Sequence, residues 1–218
     1  MRCTRKKAAI LEVGPVSYRD AWQIQRDTWE KVYQGHAEAV LVFCRHHPVI
    51  TTGRRGEGNN LLVSKEVLAQ RGIGLHRAER GGEITYHGPG QLTVYPVVNL
   101  NKTRRDLHWF VRALETVIIA TLAECRLLGQ RHPGLTGVWV AERKIASIGI
   151  ALRRWITWHG FSVNLAADDL DNFSLIRPCG LNVRMTSVER EAGRRIDPAF
   201  ITEKLVKHFN REVLSCPM

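Results

Sequence analysis

The chain has 218 residues, 44% hydrophobic and 24% charged, the make-up of an ordinary globular protein rather than a disordered or membrane chain. That length suits one domain, residues 1–218, burying roughly 70–75% of the surface its unfolded form exposes. A formal net charge of +11 favours acidic partners, and no run approaches the ~20 apolar residues of a membrane span.

Arg2, Arg5, Lys6 and Lys7 open the chain, but Glu12 and Asp20 follow too soon for a transit peptide, and Ala8 to Leu11 is too short for a secretory core. Residues 1–7 therefore read as a frayed tail, and the location as cytoplasmic. Ser17 and Asp20 start a helix that carries Ala21, Trp22, Gln25, Trp29 and Val32 at near-helical spacing until Gly35. Glu38 to Arg45 and Gln91 to Asn99 have strand character. Between them lie two glycine-rich loops, Thr52 to Asn60 and Arg80 to Gln91, where a binding site is expected. Asp106 to Leu128 is the longest helical pattern, with Phe110, Leu114, Val117, Ile118 and Leu122 on one face. Gly137 to Glu142, Lys144 to Leu152 and Ile156 to Leu165 read as three consecutive antiparallel strands. Asp197-Pro198 opens a last helix that runs to about Val213. Strands in the middle and helices at both ends predict an α+β fold.

Cys3, Cys44, Cys125, Cys179 and Cys216 are odd in number and form no CxxC pair, which argues against a disulfide framework or a structural zinc site. Cys44 and Cys125 sit in apolar patterns as small buried hydrophobes. His46-His47 lacks a third ligand at motif spacing and reads as structural, so no metal site is predicted. Gly53-Arg54-Arg55-Gly56-Glu57-Gly58 lacks the lysine and hydroxyl of a phosphate loop; no GxGxxG opens a helix and no GxSxG elbow is present. A basic nucleic-acid-binding module rests on charge alone, because the basic residues are spread from Arg2 to Arg211 without aromatic interleaving.

Three stretches carry chemistry. Arg80-Gly81-Gly82-Glu83-Ile84-Thr85-Tyr86-His87-Gly88-Pro89-Gly90-Gln91 is either a structural hairpin or a pair of turns that expose backbone amides to a substrate. His87 within it is open to three roles: base, hydrogen-bond donor or structural residue. Arg177-Pro178-Cys179-Gly180-Leu181 places a thiol on a turn, either as a nucleophile with backbone donors for an oxyanion or as an inert buried thiol. Lys144 begins an otherwise apolar strand; it is either solvated at the strand end or desolvated toward a pKa useful for proton transfer.

Together these residues resemble the lipoyl (octanoyl) transferase family, the octanoyl-[acyl-carrier-protein]:protein N-octanoyltransferases. Four blocks occur in the family's order: Gly53-Arg54 with Asn60-Leu61-Leu62; Arg80-Gly81-Gly82 through Gly90-Gln91; Lys144-Ile145-Ala146-Ser147-Ile148-Gly149 with His159-Gly160-Phe161-Ser162-Val163-Asn164; and Pro178-Cys179-Gly180. The resemblance implies one domain like the catalytic domain of biotin and lipoate protein ligases, a mixed, largely antiparallel sheet with flanking helices, and no ATP, metal or other cofactor. It implies that Cys179 carries the acyl thioester, that Lys144 tunes the thiol and shuttles protons, and that Arg80, Gly81, Gly82, Glu83, Ile84, Thr85, Tyr86, His87, Ser147, Ile148, Gly149, Gly160, Phe161 and Ser162 bind substrate. The implied partners are octanoyl-acyl carrier protein as donor, and the lipoyl domains of 2-oxoacid dehydrogenases and the glycine cleavage H protein as acceptors, with no nucleic acid or membrane. Leu152-Arg153-Arg154-Trp155-Ile156-Thr157-Trp158 is bulkier and more basic than the family pattern at that place. An ATP-dependent lipoate or biotin ligase on the same fold is the nearest alternative; it would need no cysteine, so Pro178-Cys179-Gly180 favours the transferase.

Overall fold

Leu41 and Phe43 point to one face of strand β2 (Ala39–His46), Val42 and Cys44 to the other, and all four are buried. A strand with two apolar faces must be covered on both. In the computed structural model, which describes residues 6–56, 60–177 and 183–215, helices supply that cover. Helix α1 (Tyr18–Tyr33) lies over Val42 and Cys44, while α3 (Leu107–Glu124) and α5 (Pro198–Phe209) close the larger core around Leu41 and Phe43. No helix of the described residues is long and apolar enough to cross a membrane.

The main sheet runs β1 (Ala9–Val16), β2, β6 (Gln91–Val98), β10 (Ile156–Asn164), β9 (Arg143–Arg153), β8 (Val138–Val140) and β7 (Gly129–Gln130). Only the β1–β2 pairing is parallel; the remaining neighbours are antiparallel. A second sheet of three short strands, in the order β4 (Gly74–Arg77), β3 (Val49–Thr52), β5 (Ile84–His87), packs with α2 (Lys65–Gln70) around its own apolar cluster. The short helix α4 (Val188–Ala192) completes the set. This is the expected α+β arrangement with a mixed, largely antiparallel sheet.

The helix starts are local and lie where the sequence places them. Ser17, Asp106 and Asp197 each accept a backbone N–H of the first turn, at 3.1, 2.9 and 2.9 Å. The helix ends differ from expectation. Helix α3 stops at Glu124, because Arg126 takes a left-handed φ of 61° and turns Leu127 back into the core; Leu128, expected in the helix, is 87% exposed. The last helix leaves α geometry at Phe209 and continues as a π turn, Asn210–Leu214. Lys6, assigned to a frayed tail, pairs with Glu38 at 2.6 Å; residues 1–5 lie outside the described residues.

Pro96 sits in the middle of central strand β6, where it has no N–H to give the ladder. The regular β6–β10 register ends at Val94↔Phe161, and Thr157 takes over the pairing: its hydroxyl donates to Pro96 O at 2.6 Å and accepts Val98 N–H at 2.9 Å. His159, at a φ of 55°, instead donates its N–H to the buried side chain of Gln25 at 2.9 Å. The break turns His159 toward the cavity described next.

Candidate functional site

Loop 80–83 lies against β9. Gly81 N–H donates to Ile150 O at 3.0 Å, and a Cβ on Gly149 would stand 2.8 Å from Gly81 O, so position 149 needs glycine for this approach. Arg80 holds the loop from beneath: it is buried, and its guanidinium donates to Thr51 O at 2.6 Å and Thr51 Oγ1 at 2.9 Å. The small sheet is thereby clamped to the large one, and a cavity of about 690 Å³ opens between them and the first half of α3.

Most of the expected site residues line this cavity. They are residues 80–85 and His87 from the loop and β5, Lys144 and residues 147–149 from β9, and residues 160–162 from β10. Tyr86 does not. Strand alternation sends it to the opposite face of β5, where it is fully buried edge-on against Phe173 and accepts a hydrogen bond from Asn172 Nδ2 at 3.0 Å. Cys179 lies outside the described residues. The chain that follows it is bound to Lys144: Lys144 N–H donates to Arg184 O at 2.8 Å, and Thr186 N–H donates to Lys144 O at 2.9 Å.

Lys144 is 8% exposed, with Nζ 5.0 Å from the centre of the Trp139 ring. Of the two sequence readings, the solvated strand end is not the one realised: the side chain is buried, with its Nζ over an aromatic face.

Two polar groups on the wall, Glu115 and Tyr95, carried no sequence signal; His46 stands behind Tyr95, while His87 and His159 belong to the two blocks that line the cavity. Glu115, 1% exposed on α3, accepts from Arg112 Nη1 at 2.7 Å, Arg131 Nε at 2.8 Å and Gly137 N–H at 3.2 Å. It reads as one more polar residue in the helix until the turns around Arg131 and Gly137 fold over it. Tyr95 and His46 are coupled: His46 Nδ1 faces Val16 O at 3.3 Å and so carries the proton, leaving Nε2 to accept from the Tyr95 hydroxyl at 2.6 Å. Burial pulls His46 down to about 4 and keeps it neutral, while Cys44, 3.6 Å from Nε2, is pushed up to about 12 by burial and is inert as a nucleophile. His87 is pushed well below the usual histidine range by burial, then by His46 and Arg80, so it stands neutral on the cavity wall. His159 is lowered by burial although Glu79 Oε2 stands 3.3 Å from its Nε2, too poorly aligned for a regular hydrogen bond. Leu107 and Val111 of α3, with Ile148 and Phe161, add an apolar wall.

The wall therefore combines imidazoles held neutral by burial, the buried side chains of Arg80, Glu115 and Lys144, and an apolar surface that an acyl chain can cover. The lipoyl protein ligase A/B catalytic domain model matches residues 17–210. An octanoyltransferase of Solibacter usitatus is 42% identical over 206 residues, covering 94% of this chain and 93% of its own. In three dimensions the chain is similar to a lipoate-protein ligase A bound with ATP, with a TM-score of 0.75 at 17% identity over 95% of this chain and 85% of that one. A biotin protein ligase of Aquifex aeolicus has a TM-score of 0.56 at 11% identity, covering 95% and 69%. The chain belongs to the octanoyltransferases of the lipoyl protein ligase A/B catalytic domain family.

Proposed function

We propose that this acyltransferase moves an octanoyl group from acyl carrier protein to a lysine of a lipoyl domain through a thioester on Cys179. The Cys179 thiolate attacks the donor thioester and expels the carrier thiol; the lysine amine then attacks the acyl-enzyme, forming an amide and returning the thiol. Lys144 takes a proton from the incoming amine and returns one to the departing sulfur. The observation that carries this reading is the burial of Lys144 on a cavity with an apolar wall, its backbone bonded to the chain that follows Cys179. Burying the six methylenes of an octanoyl chain at about 0.8 kcal/mol each contributes roughly 5 kcal/mol toward holding the donor. Acceptors are the lipoyl domains of 2-oxoacid dehydrogenases and the glycine cleavage H protein, and the setting is the cytoplasm.

The test is intact-mass analysis after mixing with octanoyl-acyl carrier protein in the absence of ATP. A single octanoyl adduct that hydroxylamine removes, and that Cys179→Ala abolishes, is the expected result. An adduct retained by Cys179→Ala, or one that forms only with ATP and free octanoate, would overturn it.

A further inference from the structure

The β9–β10 hairpin turns on two residues ill suited to it. Arg153 pairs with Ile156, so Arg154 and Trp155 form a two-residue loop, and both take positive φ, 54° and 62°. That backbone favours Asn-Gly; a bulky side chain there is strained. The surroundings hold it in place. Leu100 N–H donates to Trp155 O at 2.8 Å, Asn101 Nδ2 to Arg154 O at 3.3 Å, and the Arg154 guanidinium to the Tyr33 hydroxyl.

The strained turn displays charge. Arg105 lies over the Trp155 ring at 4.9 Å, Arg153 over Trp29 at 5.1 Å and Arg154 over Tyr33 at 4.8 Å, so aromatic faces prop three guanidinium groups at one end of the molecule. With the neighbouring Lys102 they form an exposed ridge, and among the described residues none of the four has a carboxylate within ion-pair distance. The ridge borders the cavity. Leu107 and His108, just beyond Arg105, line it, as do Ile150 and His159, a cross-strand pair three residues back from Arg153↔Ile156, roughly 10 Å at about 3.4 Å per residue.

We infer that Lys102, Arg105, Arg153 and Arg154 form the docking surface for the acidic carrier protein that delivers the acyl group, an inference that rests on the transfer reaction proposed above. An unneutralised basic ridge complements an acidic partner, and a chain with a net charge of +11 attracts one from a distance. The ridge lies beside the cavity rather than over it. A carrier whose acyl group rides on a long flexible pantetheine arm can dock there and still reach inside. An acceptor lysine, with only its own side chain to extend, has a much shorter reach than the pantetheine arm.

The test uses the full chain carrying Lys102→Glu, Arg105→Glu and Arg153→Glu, which leaves the Arg154-Trp155 turn unchanged. Acylation is measured with octanoyl-acyl carrier protein and with octanoyl-N-acetylcysteamine, a neutral thioester without a carrier; transfer to a lipoyl domain is measured from preformed acyl-enzyme. The expected result is a fall of about tenfold or more in kcat/KM for the carrier at low salt, with most of its salt dependence lost. Acylation by the neutral thioester and transfer to the lipoyl domain should stay near wild type. Unchanged acylation by the carrier overturns the inference, as does a loss confined to the lipoyl-domain step. If all three fall together, the variant is misfolded and the Lys102→Gln, Arg105→Gln, Arg153→Gln protein decides by the same criteria. Wild-type protein acylated by neither donor would instead sink the thioester reaction itself.

Discussion

Lys144 is packed directly beneath Gly137. A methyl group on Gly137 would stand 2.7 Å from Lys144 Cε and 2.6 Å from Ala146 O, and Gly137 has a φ of 135° that side chains rarely adopt. Gly137→Ala should therefore displace the lysine and strain the turn together. We expect a folded protein of lower Tm whose transfer rate falls on the order of 10²-fold, the cost of misplacing a reacting group by about 1 Å. Wild-type kcat/KM in this variant would show that the position of Lys144 is not critical.

Lys144→Arg separates proton transfer from charge, because a guanidinium supplies charge but does not deprotonate in proteins. Cys179 should still alkylate readily at neutral pH, while single-turnover transfer from preformed acyl-enzyme slows on the order of 10²–10⁴-fold. The attacking lysine arrives largely protonated and must shed protons before the amide forms. Transfer at the wild-type rate would leave Lys144 only an electrostatic role.

Glu115 joins α3 to the segments around Arg131 and Gly137, as a buried carboxylate accepting three hydrogen bonds. Both arginines keep access to water, so Glu115→Ala should cost less than breaking a fully buried pair, about 2 kcal/mol. Urea unfolding measures this directly. Because the third hydrogen bond comes from Gly137, turnover should fall as well; a stability loss without a turnover loss would uncouple the two.

His46 makes stability depend on pH. Folded, it binds its proton only near pH 4, whereas in the unfolded chain it does so near 6.5. The unfolded state therefore takes up protons first, so stability is full above about pH 6.5 and is lost as the pH falls toward 4, by about 3 kcal/mol for this residue. His87 and His159, also lowered by burial, act in the same direction. His46→Gln should flatten the urea midpoint between pH 6.5 and 4. An equally steep profile would assign the loss to the other histidines.

The sequence alone was enough for whatever depends on near neighbours. Ser17, Asp106 and Asp197-Pro198 mark helix starts because a cap is a contact within three residues, and the β8–β9–β10 meander follows from short breaks between β-rich runs. The site blocks were legible as blocks for the same reason, being dense in glycine and reactive groups.

Tertiary structure decided what depends on distant partners. Strands β1, β3, β4 and β5 escaped the sequence reading because none is a long run of alternating residues, and three of them are only four residues each. They exist by pairing: β3 with β4 and β5, β1 with β2. The end of α3 was set by one left-handed residue, Arg126, against an apolar pattern that runs on to Leu128. Within the site, residues 80–87 looked like one binding segment, yet pairing of β5 with β3 put Thr85 and His87 on one face and Tyr86 on the other. The burial of Lys144, the loading of Glu115 and the hydrogen bond from Tyr95 to His46 arise only on folding, because desolvation and hydrogen-bond geometry belong to the assembled environment rather than to any residue's neighbours in the chain.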